Sequence, residues 1–146
     1  MKRLFATNDD YALALARVVL GIIFFMHGAQ QALGWFHGYG YHASMHFYTD
    51  GLGVPAVFAC LAIMTMLFGG IALILGLLSR LAALGIFTVM LVAVLKVHLA
   101  VGFFMNWYGS QKGEGFEYHL LVFAIAILIM VKGAGALSVD RAIAKI

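Results

Sequence analysis

Charged residues are scarce in this sequence of 146 residues. Asp, Glu, Lys and Arg make up 10% of the chain, whereas hydrophobic residues make up 64%. Soluble domains carry about a quarter charged and about half apolar residues. The deficit excludes an ordinary water-soluble domain and indicates a chain that lies mostly within a membrane.

Cysteine and proline are almost absent, with one residue of each. The single cysteine, Cys60, excludes an internal disulfide and a metal site built from several cysteines. The single proline, Pro55, begins an apolar run, where the first turn of a helix accepts it. The net charge of +3 comes with no basic cluster, so the sequence gives no indication of a nucleic-acid partner.

Four apolar segments reach the length of about 20 residues that crosses the hydrocarbon core of a bilayer. They cover residues 12–34, 55–78, 81–104 and 117–135. Asp9 or Asp10 can cap the first segment, which we expect to be retained because it is too long for a signal peptide. Only Ser79 and Arg80 separate the second segment from the third, which predicts an antiparallel hairpin. The sequence therefore predicts an all-α integral membrane four-helix bundle.

The distribution of Lys and Arg predicts the orientation of this bundle, because cytoplasmic segments are enriched in these residues. With the N-terminus inside, the cytoplasmic side carries Lys2, Arg3, Arg80, Lys132, Arg141 and Lys145. The outer loops then carry only Lys112. We therefore expect both termini in the cytoplasm. Arg17 lies near that side, and we expect its side chain to reach toward the membrane surface.

Polar side chains in the outer halves of the predicted spans need partners or a role. An ionisable group at mid-helix costs about 2.5–3.5 kcal/mol on insertion. At a rise of about 1.5 Å per residue, His27 and His98 lie about 10 Å inside the outer ends of their spans. Lys96 can pair with Glu117 or extend outward. We predict a polar cavity beneath the outer loops, formed by His27, Gln30, Gln31, His98, Glu117 and His119.

Other interpretations of these residues stay open. Histidine and glutamine in membrane bundles often only bond one helix to another, which contributes about 0.6 kcal/mol on average. His27 and His98 at matched depth could be axial ligands of a haem, although a single pair is a weak indication. His42 and His46, with His37 nearby, could bind a metal, but no third ligand is evident.

Four stretches of the sequence resemble the DoxX family of small four-helix membrane proteins. They are ARVVLGIIFFMHGAQQALGWF (16–36), GGIALILGLLSRLAAL (69–84), HLAVGFFMNWYGSQKGEGFEYHLL (98–121) and GAGALSVDRA (133–142). The resemblance implies a single DoxX-like transmembrane domain over residues 1–146, located in a bacterial inner membrane. Carried over by position, the polar features of the family fall on Arg17, His27, Gly28, His98, Asn106, Glu117 and His119. The resemblance thus adds Asn106 to the predicted ligand-binding cluster.

Two positions depart from the pattern of the family. Gln31 stands where relatives usually carry lysine, and Met66 stands where they usually carry glutamate. A buried acid or base left alone is strongly destabilising, so the two losses are expected to occur together. We therefore expect positions 31 and 66 to pair in the relatives that carry lysine and glutamate there, which requires the two positions to lie close together.

The resemblance also implies a function, because some relatives are membrane subunits of quinone-linked sulfur-compound oxidoreductases and others are linked to thiol stress. We expect a subunit or accessory of such a redox system, not an independent enzyme. A quinone headgroup would accept hydrogen bonds from His27 and His98, while Glu117 and His119 exchange protons with the periplasm. Electrons would come from a protein partner in the bilayer, and a homo-oligomer is compatible with this arrangement. A non-catalytic scaffold and a small-molecule transporter are the alternatives.

Overall fold

A computed structural model describes residues 2–145, and all regular secondary structure in this range is helical. The side chains of Lys2 and Arg3, which were counted for orientation, lie outside the described part. The helices, in chain order, are α1 (Lys2–Phe5), α2 (Tyr11–Leu33), α3 (Gly40–His46), α4 (Ala56–Leu75), α5 (Ser79–His98), α6 (Glu117–Lys132) and α7 (Val139–Ala144).

Three of these helices, α2, α4 and α5, are long and apolar enough to cross a membrane. They confirm the first three predicted spans, although α5 ends at His98 and not at residue 104. The chain is thus a multi-pass membrane protein. The carboxylate of Asp10 accepts a hydrogen bond from the backbone nitrogen of Leu13 at 2.9 Å, which confirms a predicted helix cap.

The fourth predicted span, 117–135, is too long at its C-terminal end. Helix α6 has 16 residues and ends at Lys132, because Gly133 adopts a φ of 90° that a helix does not allow. At about 1.5 Å per residue, α6 covers about 24 Å, which is less than a hydrocarbon core of about 30 Å.

Three π-helical turns interrupt the regular helices. They cover Phe47–Gly51 after α3, Thr65–Gly69 within α4 and Val94–His98 at the end of α5. A π-helical turn accommodates an extra residue and rotates the side chains that follow it, and such turns often occur at functional sites. Each of the three contains a residue of the predicted polar cluster or a residue that contacts it: Tyr48 and Met66 contact Gln31, and His98 belongs to the cluster.

Arg17 does not reach the membrane surface, so the expectation for this side chain is wrong. It is 0% exposed. Its guanidinium donates to the carbonyl oxygens of Leu73 and Ile74, the latter at 3.0 Å, at the end of α4. It also donates to the carbonyl oxygens of Ala134 at 2.7 Å and Leu137 at 3.2 Å. Carbonyls at a helix C-terminus lack intrahelical partners, and Arg17 satisfies them while linking α2 to α4 and to the segment after α6.

Asp140 links the same end of the bundle to α5. This buried carboxylate accepts hydrogen bonds from the backbone nitrogens of Leu78 at 2.7 Å and Ser79 at 2.9 Å. Its own backbone nitrogen donates to the carbonyl oxygen of Gly76 at 2.9 Å. A carboxylate at a helix N-terminus satisfies unpaired N–H groups and interacts favourably with the helix dipole. The turn of the α4–α5 hairpin is therefore held by the C-terminal segment.

Helices α2 and α4 approach so closely that their backbones touch. A Cβ atom built on Gly70 would lie 2.4 Å from the backbone nitrogen of Phe25, and one built on Gly28 would lie 2.3 Å from that of Leu67. Neither glycine has room for a methyl group. Small residues at a helix contact are the usual way for membrane helices to pack without large polar surfaces.

Gly70→Ala is expected to destabilise the protein, because the new methyl group meets backbone atoms that cannot move aside. A cost of about 1–3 kcal/mol follows from overpacking at a close contact. Gly69→Ala is the matched control, since its Cβ would lie 3.7 Å from the nearest side chains. Thermal unfolding in detergent should show a lower midpoint for Gly70→Ala than for Gly69→Ala; equal midpoints would contradict the close contact.

Candidate functional site

The two long connections, residues 34–55 and 99–116, lie at the end of the bundle opposite the chain termini. This end is called the loop end, and the other the terminal end. In the first connection α3 packs against α2 and α4. Between α2 and this connection lies a cavity of about 680 Å³. Its polar lining consists of Gln30, Gln31, His37, Ser44 and Tyr48, and its aromatic lining includes Tyr39 and Phe47. We call it the loop cavity.

A strained turn folds the start of this connection onto α2. Phe36 and His37 have φ values of 52° and 62°, in a region that non-glycine residues rarely adopt. Gly38 packs so tightly that an added Cβ would lie 2.3 Å from the carbonyl oxygen of Gln30. The side-chain amide of Gln30 donates to the carbonyl oxygen of Phe36 at 3.2 Å. These contacts place His37 on the wall of the cavity.

Gln31 connects the loop cavity to the core of the bundle. The hydroxyl of Tyr48 donates to Gln31 Oε1 at 2.8 Å, and Gln31 Nε2 donates to Met66 Sδ at 3.8 Å. The expected proximity of positions 31 and 66 is therefore confirmed. Burial raises the pKa of the Tyr48 hydroxyl more than the hydrogen bond with Gln31 lowers it. Tyr48 thus stays protonated and remains a hydrogen-bond donor at neutral pH.

A second polar group forms where α5 and α6 meet the other connection. The ring centroids of His98 and His119 are 4.2 Å apart, with an angle of 48° between the ring planes. His98 Nδ1 lies 2.8 Å from the carbonyl oxygen of Glu114, which only a protonated nitrogen can approach favourably. His119 is 4% exposed, and its Nδ1 has no hydrogen-bond partner within residues 2–145.

The remaining predicted polar residues in this region hold the loop. The carboxylate of Glu117 accepts from the backbone nitrogen of Met105 at 3.2 Å. Asn106 closes the loop by two hydrogen bonds with the backbone of Gln111, at 3.1 and 2.9 Å. The carboxylate of Glu114 accepts from the backbone nitrogen of Asn106 at 2.7 Å. Asn106 and Glu117 therefore order the second connection.

The polar residues predicted to share one cavity fall into separate groups. Gln30 and Gln31 line the loop cavity, whereas His98, Asn106, Glu117 and His119 belong to the junction of α5, α6 and the second connection. His27 is exposed on the surface of α2 and makes no hydrogen bond within the described range. Lys96 is also exposed, and its ammonium group forms no ion pair there with Glu117 or another described carboxylate.

Sequence reasoning missed Ser44 and Tyr48 as cavity residues. They stand four residues apart, and Tyr41 precedes Ser44 by three, which places all three on one face of a helix. This spacing was visible in the sequence. The strained turn that brings His37 beside them left no such signal, because no glycine occupies its left-handed positions.

The histidines of the alternative metal and haem sites make contacts other than those these sites require. His46 Nε2 lies 3.1 Å from the carboxylate of Asp50, both exposed, and the ring of His42 packs edge-on against Tyr41. Over residues 2–145, no three His, Cys, Asp or Glu side chains are grouped closely enough to hold a metal ion. His98 contacts the ring of His119, not that of His27.

A groove of about 970 Å³ runs along α4 and α5 from the loop end to the terminal end. We call it the α4–α5 groove. Residues 65–75 of α4 pack against both α2 and α5, whereas residues 56–64 pack against α2 and α3. The two helices therefore separate toward the loop end. There the groove is lined by Lys96 and His98, and it shares Phe47 and Tyr48 with the loop cavity.

Comparison with known proteins gives a family and a relative. A model of the DoxX family matches residues 12–99. The chain is 30% identical over 137 residues to inner membrane protein YqjF of Escherichia coli (strain K12), which covers 94% of this chain and 95% of that protein. No solved structure matches the chain.

Met66→Glu should destabilise the protein, because it places a carboxylate in a buried site whose neighbour, Gln31, is neutral. The expected cost is about 3–5 kcal/mol, the usual result for an unpaired buried charge. Adding Gln31→Lys should recover a large part of this loss. Thermal or denaturant unfolding of the wild type, both single variants and the double variant measures the coupling. Simple additivity of the two effects would contradict a direct interaction between the positions.

Proposed function

The chain belongs to the DoxX family of membrane proteins, and on this premise we propose that it is a membrane subunit or accessory of a quinone-linked redox system. In this proposal the loop cavity receives the quinone headgroup. The observation that carries it is the loop cavity itself, a polar and aromatic chamber that adjoins a groove open to lipid.

The size and lining of the loop cavity suit a small ring that carries carbonyl groups. Ligand cavities usually measure about 300–1,000 Å³ and combine apolar walls with a few placed polar groups. Its volume of about 680 Å³ lies in that range. Ser44 and His37 can donate hydrogen bonds to carbonyl oxygens, and Tyr48 would do so by turning its hydroxyl from Gln31 Oε1 to the ligand. Tyr39 and Phe47 offer aromatic faces. The polar groups would orient the ring, and the aromatic faces would pack against it.

The His98–His119 pair is suited to proton exchange beside this cavity. His98 lines the loop end of the groove, and His119 lies buried behind it with an unpartnered Nδ1. A histidine ring has one nitrogen that donates and one that accepts a proton. Because Nδ1 of His98 is held by the carbonyl oxygen of Glu114, Nε2 of His98 is the atom that can accept and release protons between the groove and the aqueous loop. A quinone supplies the two-electron chemistry, and a partner protein supplies the electrons, since the cavity side chains themselves bind and transfer only protons.

The placement in the membrane is part of the proposal. We place the protein in a bacterial inner membrane as a single transmembrane domain, in line with the name of the Escherichia coli relative. The lysine and arginine distribution puts both termini in the cytoplasm and the loop end in the periplasm. Helix α6 would form the fourth crossing, with the buried residues 133–136 extending it toward the terminal end.

A non-catalytic scaffold is the second candidate function. The hydrogen bonds that favour it are those of Asn106 and Glu117, which hold backbone groups of the second connection. A scaffold would need these residues for loop shape and would have no use for the donors of the loop cavity. Binding of a ligand in the loop cavity therefore separates the two candidates.

Reporter fusions should confirm the topology. Alkaline phosphatase, which is active only outside the cytoplasm, is expected to be active when inserted at Gln111 in the second connection and inactive when fused after Lys145. A fluorescent protein that folds only in the cytoplasm should give the opposite result at the two positions. Activity of the phosphatase at both positions would mean that α6 does not cross the membrane.

Tyr48→Phe should weaken quinone binding by roughly two- to tenfold, because one hydrogen bond contributes about 0.5–1.5 kcal/mol. The protein is purified in mild detergent, and bound quinone is extracted and quantified by chromatography. Tyr11→Phe is the control, since Tyr11 is exposed at the opposite end of α2.

Two outcomes would contradict the proposed function. One is that wild-type protein retains no more quinone than an unrelated membrane protein prepared in the same way. The other is that both tyrosine variants retain as much quinone as the wild type. The same preparation should also contain a redox protein, because the proposal assigns the electrons to a partner.

A further inference from the structure

The α4–α5 groove is too long for the acyl chain of one leaflet. On α5 its lining runs from Leu81 to His98. Seventeen residue steps at about 1.5 Å each give about 26 Å. Half of a hydrocarbon core of about 30 Å is about 15 Å. A phospholipid anchored at the loop end would therefore leave more than a third of the groove, at its terminal end, unfilled.

Polarity along the groove is confined to one end. Lys96, His98 and Tyr48 line the loop end, and the lining beyond them is apolar apart from two threonines. The hydroxyl of one of these, Thr88, already donates to the carbonyl oxygen of Leu84 at 2.9 Å. A ligand that matches this profile has one polar head and one long apolar chain.

The groove adjoins the loop cavity. Phe47 and Tyr48 line both spaces, so a ligand whose head lies in the cavity would extend its chain past these two rings to enter the groove. The depth of the groove comes from small residues on both helices, among them Gly69, Ala72, Ala82 and Gly85. Its open side faces the surrounding lipid, because Phe58, Phe68 and Leu81 on its rim are exposed.

We propose that the α4–α5 groove binds the long polyprenyl chain of the quinone whose headgroup occupies the loop cavity. This inference rests on the proposed function and adds the class of substrate: the site selects quinones with a chain longer than one leaflet over quinones with a short chain. The loop cavity binds the ring, and the groove supplies the selectivity for length.

Thr88→Trp tests the groove without changing the loop cavity. Thr88 is exposed at mid-groove, and an indole there blocks the path of a chain. Leu91→Trp is the matched control, because Leu91 is exposed on the same helix but does not line the groove. Equal thermal midpoints of the two variants in detergent establish that both are folded.

The binding assay compares a long-chain polyprenyl quinone with the same headgroup carrying one isoprene unit, using immobilised protein in detergent. Wild type and Leu91→Trp are expected to bind the long-chain quinone about tenfold more tightly than the short one, because the chain buries apolar surface in the groove. Thr88→Trp should remove this preference by weakening the binding of the long-chain quinone alone.

The outcomes separate this inference from the proposed function. If Thr88→Trp leaves the preference for the long chain intact, or if the wild type shows no preference, the groove does not bind the chain. In that case, binding of the short-chain quinone that depends on Tyr48 still supports the loop cavity as the headgroup site. If neither quinone binds, the proposed function fails and the inference fails with it. If phospholipid and no quinone is retained, and Thr88→Trp releases it, the occupant is phospholipid and the inference is overturned.

Discussion

The buried guanidinium of Arg17 is the interaction on which the rest of the bundle depends. A charge inside a membrane protein is stable only when its donors are satisfied. Here the acceptors are carbonyl oxygens at the end of α4 and in the segment after α6, so the charge forces these parts of the chain to meet. Asp140 then holds the start of α5 at the same place. With the terminal end fixed in this way, the loop ends of α4 and α5 are free to separate and to form the groove.

The π-helical turns determine which side chains face the spaces at the loop end. The turn Thr65–Gly69 includes Met66, which contacts Gln31, and the turn Val94–His98 includes Lys96 and His98, which line the groove. An uninterrupted α-helix would rotate these side chains by a different angle. The polar groups of the site thus depend on local departures from regular helical geometry within two otherwise ordinary membrane helices.

The sequence could predict the features that depend on local composition. The first three spans and the hairpin at Ser79 and Arg80 follow from apolar length and a short connection. The contact between Gln31 and Met66 follows from the resemblance to relatives that carry lysine and glutamate at these positions. It could not predict the surroundings of Arg17, since acceptors such as Ala134 lie 117 residues away along the chain. The sequence also indicated that His27 and His98 lie together, but only on the basis of their equal depth in the membrane. Depth along a helix fixes height in the membrane but not the direction in which a side chain points, and His27 points outward.

The shortness of α6 has a consequence for the bilayer itself. In the proposed topology the 16 residues of α6 present to the lipid an apolar surface, including exposed Leu121, Ile127 and Val131, that is a few ångströms shorter than the hydrocarbon around α2, α4 and α5. Lipid beside a short helix adjusts by thinning, at a cost of a fraction of a kcal/mol per ångström of mismatch. The headgroup region would then lie closer to the His98–His119 pair on this flank than elsewhere. Hydrophobic mismatch at one helix could thus bring water to a titratable pair without an aqueous channel through the protein.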